Sequence, residues 1–169
     1  MSVFYSHVFE RGSEMITIDA PGWGSYPIRH LLLDLNGTLT LDGVLIKGVR
    51  ERLQELSQKL DIHVLTADTL GNAAKVCQDL PVTLHIIPES DQISTKQKYL
   101  RGLPLKVAAI GNGRNDMGML GDAALGIAVL GPEGAGSEVI RAADVVVTDV
   151  NDALDLFIYP ERLKATLRS

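Results

Sequence analysis

The chain has 169 residues, 46% of them hydrophobic and 22% charged, a balance that predicts one soluble globular domain with a substantial core and leaves no room for two catalytic domains. Its 21 acidic residues outnumber 16 basic ones, for a formal charge of -5, which argues against a broad electrostatic grip on nucleic acid or on an anionic membrane. No apolar run approaches the ~20 residues of a membrane span, and the first residues lack the basic start and apolar run of a secretory signal, so the expected location is the cytoplasm.

Residues 1–14 show no pattern and read as a flexible extension or an oligomer contact, with 15–169 forming the single domain. Phe4, Tyr5, Phe9, Trp23 and Tyr26 all precede residue 27, so the main core must be aliphatic. Stretches 15–19 and 26–29, either side of Pro21-Gly22-Trp23-Gly24, predict a small N-terminal antiparallel hairpin. From residue 31 onward, short Val/Ile/Leu runs at 31–35, 62–66, 83–87, 107–110, 126–129 and 145–147 alternate with amphipathic segments. That alternation is the mark of repeated βα units. Val49, Leu53, Leu56 and Leu60 recur at helical spacing. Thr69, Ser94 or Thr95, and Asp149 or Asn151 are candidate helix caps, and Pro160 should stop the helix over 154–158. Cys77, the single cysteine, sits among Ala73, Ala74, Val76 and Leu80 and predicts a buried small side chain. The fold class is α/β, a Rossmann-like three-layer sandwich on a parallel sheet whose strands are apolar because both faces are covered.

Chemistry concentrates where strands end. Leu31 to Leu35 runs into Asp34, Asn36, Gly37, Thr38 and Thr40, at the carboxyl end of a strand, where open α/β sheets place ligands. Val107 to Ile110 runs into Gly111-Asn112-Gly113-Arg114-Asn115-Asp116. This is neither a dinucleotide fingerprint nor a P-loop. It aims Asn112 and Asp116 at the same sheet edge as Asp34, a natural set of oxygen ligands for Mg²⁺. Thr66 ends another strand, and Lys96 opens a helix with a charge able to reach the same point. His7, His30, His63 and His85 read as scattered structural residues, Asp68 as a helix cap, and the Gly131 to Gly136 loop with Glu133 as a flexible rim.

This combination resembles the haloacid dehalogenase superfamily of phosphotransferases over roughly Leu31 to Val147. The resemblance implies Asp34 as nucleophile, Thr66 and Lys96 (or Lys98) as the phosphate-binding hydroxyl and lysine, and the loop from Asn112 to Asp116 as the Mg²⁺ site. Asp34-Leu35-Asn36-Gly37-Thr38-Leu39-Thr40 is similar to the phosphorylation motif of P-type ATPases, and the likeness continues through Asn115-Asp116, Leu125 to Val129 and Ala142 to Val146. Asp34 and Thr66 are 32 positions apart, which leaves no room for an inserted cap or nucleotide-binding domain. The expectation is a stand-alone member with an open site, closed by a large phosphorylated partner or by a second copy of the chain.

Two departures bear on mechanism. Asn36 stands where the superfamily's phosphatases keep an acid/base aspartate, and an amide can neither protonate a leaving group nor activate water. Asn112 replaces a metal-binding aspartate, leaving Asp34, Asp116 and the Asn36 main-chain carbonyl to hold the cation. The expected function is a Mg²⁺-dependent phosphohydrolase or phosphotransferase working through an aspartyl-phosphate at Asp34, on a phosphorylated small molecule or macromolecule with a good leaving group. A low-turnover phosphate-binding regulator is the alternative, and a tetrameric deoxy-octulosonate phosphate phosphatase-like enzyme, suggested by Leu39 to Gly43, is the second.

Overall fold

Strand register brings the aliphatic runs side by side. In the computed structural model, which describes residues 14–169, β1 (Ile16–Ala20) turns back into β2 (Gly24–Asp34), followed by a short hairpin of β3 (Thr40–Leu41) and β4 (Val44–Leu45). Then come α1 (Val49–Leu56), β5 (Asp61–Thr66), α2 (Ala73–Cys77), β6 (Thr83–Ile86), α3 (Gln92–Gly102) and β7 (Lys106–Gly111). A single 3-10 turn (Arg114–Asp116) leads into α4 (Met117–Asp122), β8 (Leu125–Val129), α5 (Ser137–Ala142), β9 (Val145–Val147), α6 (Val150–Ile158) and α7 (Glu161–Leu167). The extension expected over 1–14, with Phe4, Tyr5, His7 and Phe9, falls almost wholly outside the described residues.

The sheet runs β6-β5-β2-β7-β8-β9, all parallel, with β1 antiparallel to the first half of β2. Alternation along each strand divides the core in two. Leu31, Leu33, Ile62, Val64, Ala108, Ile110 and Ile127 face the layer containing α1 and α6, while Leu32, Leu65, Val107, Ala109 and Ala128 pack toward α3, α4 and α5. This is the expected three-layer sandwich, and the order of β5, β2 and β7 places a topological switch at the carboxyl end of β2. No described helix is long and apolar enough to cross a membrane.

The expected N-terminal hairpin is present, and its second arm, Tyr26 to Arg29, runs on without a break into the core strand as part of the 11-residue β2, with Ile28 pairing with both Ile16 and Lys106. Several other details differ from the sequence reading. The first helix ends at Leu56, and Leu60 is buried from the turn that follows. Thr69 caps nothing; the α2 terminus is met by Asp68, whose Oδ1 accepts the Ala73 N–H at 2.9 Å. Ser94 and Thr95 lie inside α3, which starts at Gln92. Asp149 does cap α6, accepting the Asn151 N–H at 2.7 Å, and α6 ends just before Pro160. Cys77 is buried, and burial pushes its thiol pKa up.

The histidines are not scattered. His63 lies two residues beyond Asp61, the register partner of His30, and His85 two beyond Thr83, the partner of His63, so the three form a diagonal across adjacent strands. His30 Nδ1 is 3.2 Å from His63 Nε2, and the Tyr99 hydroxyl from α3 sits 2.9 Å from His63 Nδ1 and 2.6 Å from His85 Nε2. Beside them, Arg29 pairs with Asp61 at 3.0 Å. Burial, reinforced by repulsion from His30 and His85, pushes the His63 pKa down to about 4; burial lowers His30 and His85 as well. A histidine titrating lower folded than unfolded contributes stability that is present above its unfolded value of about 6.5 and is lost as pH falls through the folded value. In urea melts between pH 6.5 and pH 4, His63→Gln should therefore lose stability less steeply than the wild type, by up to about 1.4 kcal/mol per pH unit, one proton's linkage.

Candidate active site

The loop after β2 is wound tightly. The Leu35 carbonyl accepts N–H bonds from Leu39 (2.9 Å), Thr40 (3.0 Å) and Thr38 (3.3 Å), and the Thr40 hydroxyl at 3.2 Å. Gly37, at φ +78, completes the turn; a Cβ there would fall on the Glu133 carboxylate and within 2.7 Å of Asn112 Nδ2. This winding leaves Asp34 at the strand's end, buried but reachable from a cavity of about 270 Å³ lined by Asp34, Asn36, Thr66, Asn112, Asn115 and Glu133, among others.

At the cavity floor Lys96, fully buried on α3, places Nζ 2.7 Å from Asp34 Oδ1 and 2.7 Å from Asp116 Oδ1. Lys98, the alternative lysine, points to the exposed side of the helix. Burial acts to lower the Lys96 pKa, but the two carboxylates outweigh it and hold the ammonium charged. Asp116 is wholly buried, and its other oxygen accepts the Asn112 and Gly113 N–H groups at 3.1 and 3.0 Å. Burial, with the Asp34 charge, pushes its pKa up to about 6 against the pull of Lys96. Gly111 is required here, since a Cβ would collide with the Asp116 carboxylate. Thr66 stands at the end of the neighbouring strand, where its Oγ1 accepts the Asp68 N–H at 3.0 Å, leaving the hydroxyl hydrogen to donate into the cavity.

The oxygens that can face a cation are few. Thr38 Oγ1 lies 3.3 Å from Asp34 Oδ2 and 3.1 Å from Asn112 Oδ1, and its one hydrogen can serve only one of these acceptors. Two converging oxygens with a single proton between them suit a hard cation, and the Asn36 carbonyl is not used by the bonds that close the loop. The fit is therefore adequate but low in charge: among the described residues, no three His, Cys, Asp or Glu side chains group as metal ligands. Asp116, the other expected ligand, accepts from Lys96 through one oxygen and from the Asn112 and Gly113 backbone through the other.

Glu133 is the residue that sequence reasoning passed over. The Gly-rich segment is not a loose rim. Gly134 N–H bonds to Gly131 O at 2.8 Å, and Gly136 N–H to Asn112 O at 2.9 Å, while Asn112 Nδ2 donates to Gly134 O at 3.2 Å. Gly-Pro-Glu-Gly directly after a strand was the available signal, being a turn whose proline and glycines fix where the glutamate points.

Comparison with known proteins gives consistent results. The sequence model of the haloacid dehalogenase-like hydrolases matches residues 90–155. An uncharacterized protein of Methanocaldococcus jannaschii is 57% identical over 63 residues, 37% of this chain and 68% of that protein. A second from the same organism is 51% identical over 39 residues, 23% of this chain and 89% of that protein. The structure is similar to cobalt-bound deoxy-D-mannose-octulosonate 8-phosphate phosphatase of Haemophilus influenzae (TM-score 0.66, 15% identity, 82% of this chain and 92% of that one). The Moraxella catarrhalis phosphatase, in complex with magnesium, phosphate and sugar acid, gives TM-score 0.65 and 17% identity over 82% of this chain and 90% of that one. A zinc-transporting PIB-type ATPase matches 72% of this chain with 20% of its own length (TM-score 0.55, 21% identity). At such identities the structural likeness is one of fold.

Replacing Lys96 by Met should leave two carboxylates buried without a cation and cost about 3–5 kcal/mol in chemical denaturation, with Asp116→Asn in the same chain recovering part of the loss.

Proposed function

The chain belongs to the haloacid dehalogenase-like hydrolases, and from that membership we propose that it is a phosphohydrolase or phosphotransferase in which Asp34 attacks phosphorus in line and carries the phosphoryl group as an aspartyl-phosphate. The observation that carries this reading is the Lys96 ammonium, fixed 2.7 Å from both Asp34 and Asp116 beneath an open cavity. It fixes the Asp34 carboxylate in place and sets a positive charge where the transferring phosphoryl group gains negative charge. The Thr66 hydroxyl, at the next strand end, is placed to donate to a phosphoryl oxygen.

Asp34, Asn112 and the Asn36 carbonyl would hold Mg²⁺, which supplies charge neutralisation on the phosphoryl oxygens when bound. Asp116 then serves by orienting Lys96. Because Asn36 cannot protonate a departing oxygen, transfer to Asp34 favours acyl and aryl phosphates, which leave without a proton. Between Asp34 and β5 the chain holds only the β3–β4 hairpin and α1, which supports one domain over 15–169 with no inserted cap. An open mouth accepts a phosphorylated small molecule, a phosphate on a larger partner, or closure by a second copy.

A second reading, a low-turnover phosphate-binding regulator, is favoured by the two amides Asn36 and Asn112. Likeness to the octulosonate phosphatases supports a sugar-phosphate substrate, which Asn36 disfavours.

Mg²⁺-dependent release of phosphate from a panel of acyl and aryl phosphates should be detectable and should vanish in Asp34→Asn; no turnover by the wild type at high protein concentration would decide for the regulator. Asn36→Asp should raise turnover of sugar phosphates, by about 10²-fold where proton donation limits the rate, measured as phosphate release.

A further inference from the structure

Resting on the aspartyl-phosphate reading, we propose that Glu133 is the general base of its hydrolysis, acting on a water held by the Asn36 side chain. Among the residues lining the cavity, Asp34 and Glu133 are the two with carboxyl groups. Asp34 is the nucleophile and is bonded to Lys96, so Glu133 is the one carboxylate left to accept a proton. Among the described residues it makes no ion pair or hydrogen bond. Its turn is pinned to Asn112 from both sides, and its carboxylate lies against the Gly37 main chain, one residue beyond Asn36.

The second observation is independent. Asn36 Oδ1 is buried with no hydrogen-bond partner, and a buried polar atom left unpaired calls for an explanation, of which an ordered water is one. A water between Asn36 and Glu133 donates one hydrogen to the amide oxygen and the other to the carboxylate. Its lone pair is then free to face phosphorus. In the step itself the water oxygen bonds to phosphorus as its proton passes to Glu133. The bond between phosphorus and the Asp34 oxygen breaks, and its electron pair returns to the Asp34 carboxylate. Inorganic phosphate leaves, and Glu133 releases its proton to solvent. Asn36 thus orients the water and Glu133, arriving from the loop after β8, performs the proton transfer that an amide cannot.

The test is a rapid-quench comparison of wild type and Glu133→Gln with para-nitrophenyl phosphate and Mg²⁺. The glutamine is isosteric and exposed, so the fold is retained. The variant should show a burst of about one nitrophenolate per site followed by turnover about 10²-fold slower, and mass spectrometry of the quenched protein should find phosphate on Asp34. Adding Asn36→Asp to Glu133→Gln should restore turnover and remove the accumulated phosphate. If Glu133→Gln matches the wild type in steady-state rate, or loses burst and turnover together, the assignment is overturned while the Asp34 reading stands. If the wild type neither releases nitrophenolate nor acquires phosphate, both fail.

Discussion

One ammonium shared by two carboxylates organises the site. Lys96 is drawn out of water completely, which is tolerable only because Asp34 and Asp116 both lie at hydrogen-bonding distance. Each member depends on the others. Asp116 is itself held by the backbone of the loop it belongs to, so the β7 loop, α3 and the end of β2 are tied to one point. Burial, with the second negative charge beside it, pushes Asp116 up to about 6; two negative charges on one positive leave the centre slightly short of cation, which makes a divalent ion the natural companion of an incoming phosphate.

The fold delivers these groups with little adjustment. Parallel pairing of β5, β2 and β7 puts Thr66, Asp34 and Asn112 at one edge, and the helix crossing from β6 to β7 lays its fifth residue, Lys96, under that edge. The tight winding at Leu35 and the turn at Gly131 then bring side chains that lie about a hundred positions apart into one cavity. Glycine stands where any Cβ would collide, at Gly37 in the winding after β2 and at Gly111 at the end of β7.

What could be read from the sequence followed from where residues sit relative to strand ends. Asp34, Thr66 and Asn112 each end an aliphatic run, and parallel strands share an orientation, so their common edge was legible before any register was known. The histidine diagonal was not, because it needs both the strand order β6-β5-β2 and a two-residue offset on each step, neither of which leaves a trace in spacing along the chain. Glu133 escaped for a related reason. Its role depends on a turn folding back onto Asn112, and a Gly-rich composition announces a turn without saying what it leans on. Asp116 was expected as a metal ligand because it is acidic and near the site; nothing in the sequence signals that its oxygens also hold Lys96 and the backbone of the loop.

The long second strand separates two ends of the molecule. Ten residue steps at roughly 3.3 Å carry β2 about 33 Å from Gly24 to Asp34, so the β1–β2 hairpin, with Trp23 and Tyr26 stacked edge to face 4.7 Å apart, stands at the end of the sheet away from the mouth. Contacts made around that hairpin and contacts made by a phosphate carrier therefore fall on opposite poles. The protein can be held at one pole and remain accessible at the other, with the whole length of the parallel sheet between them.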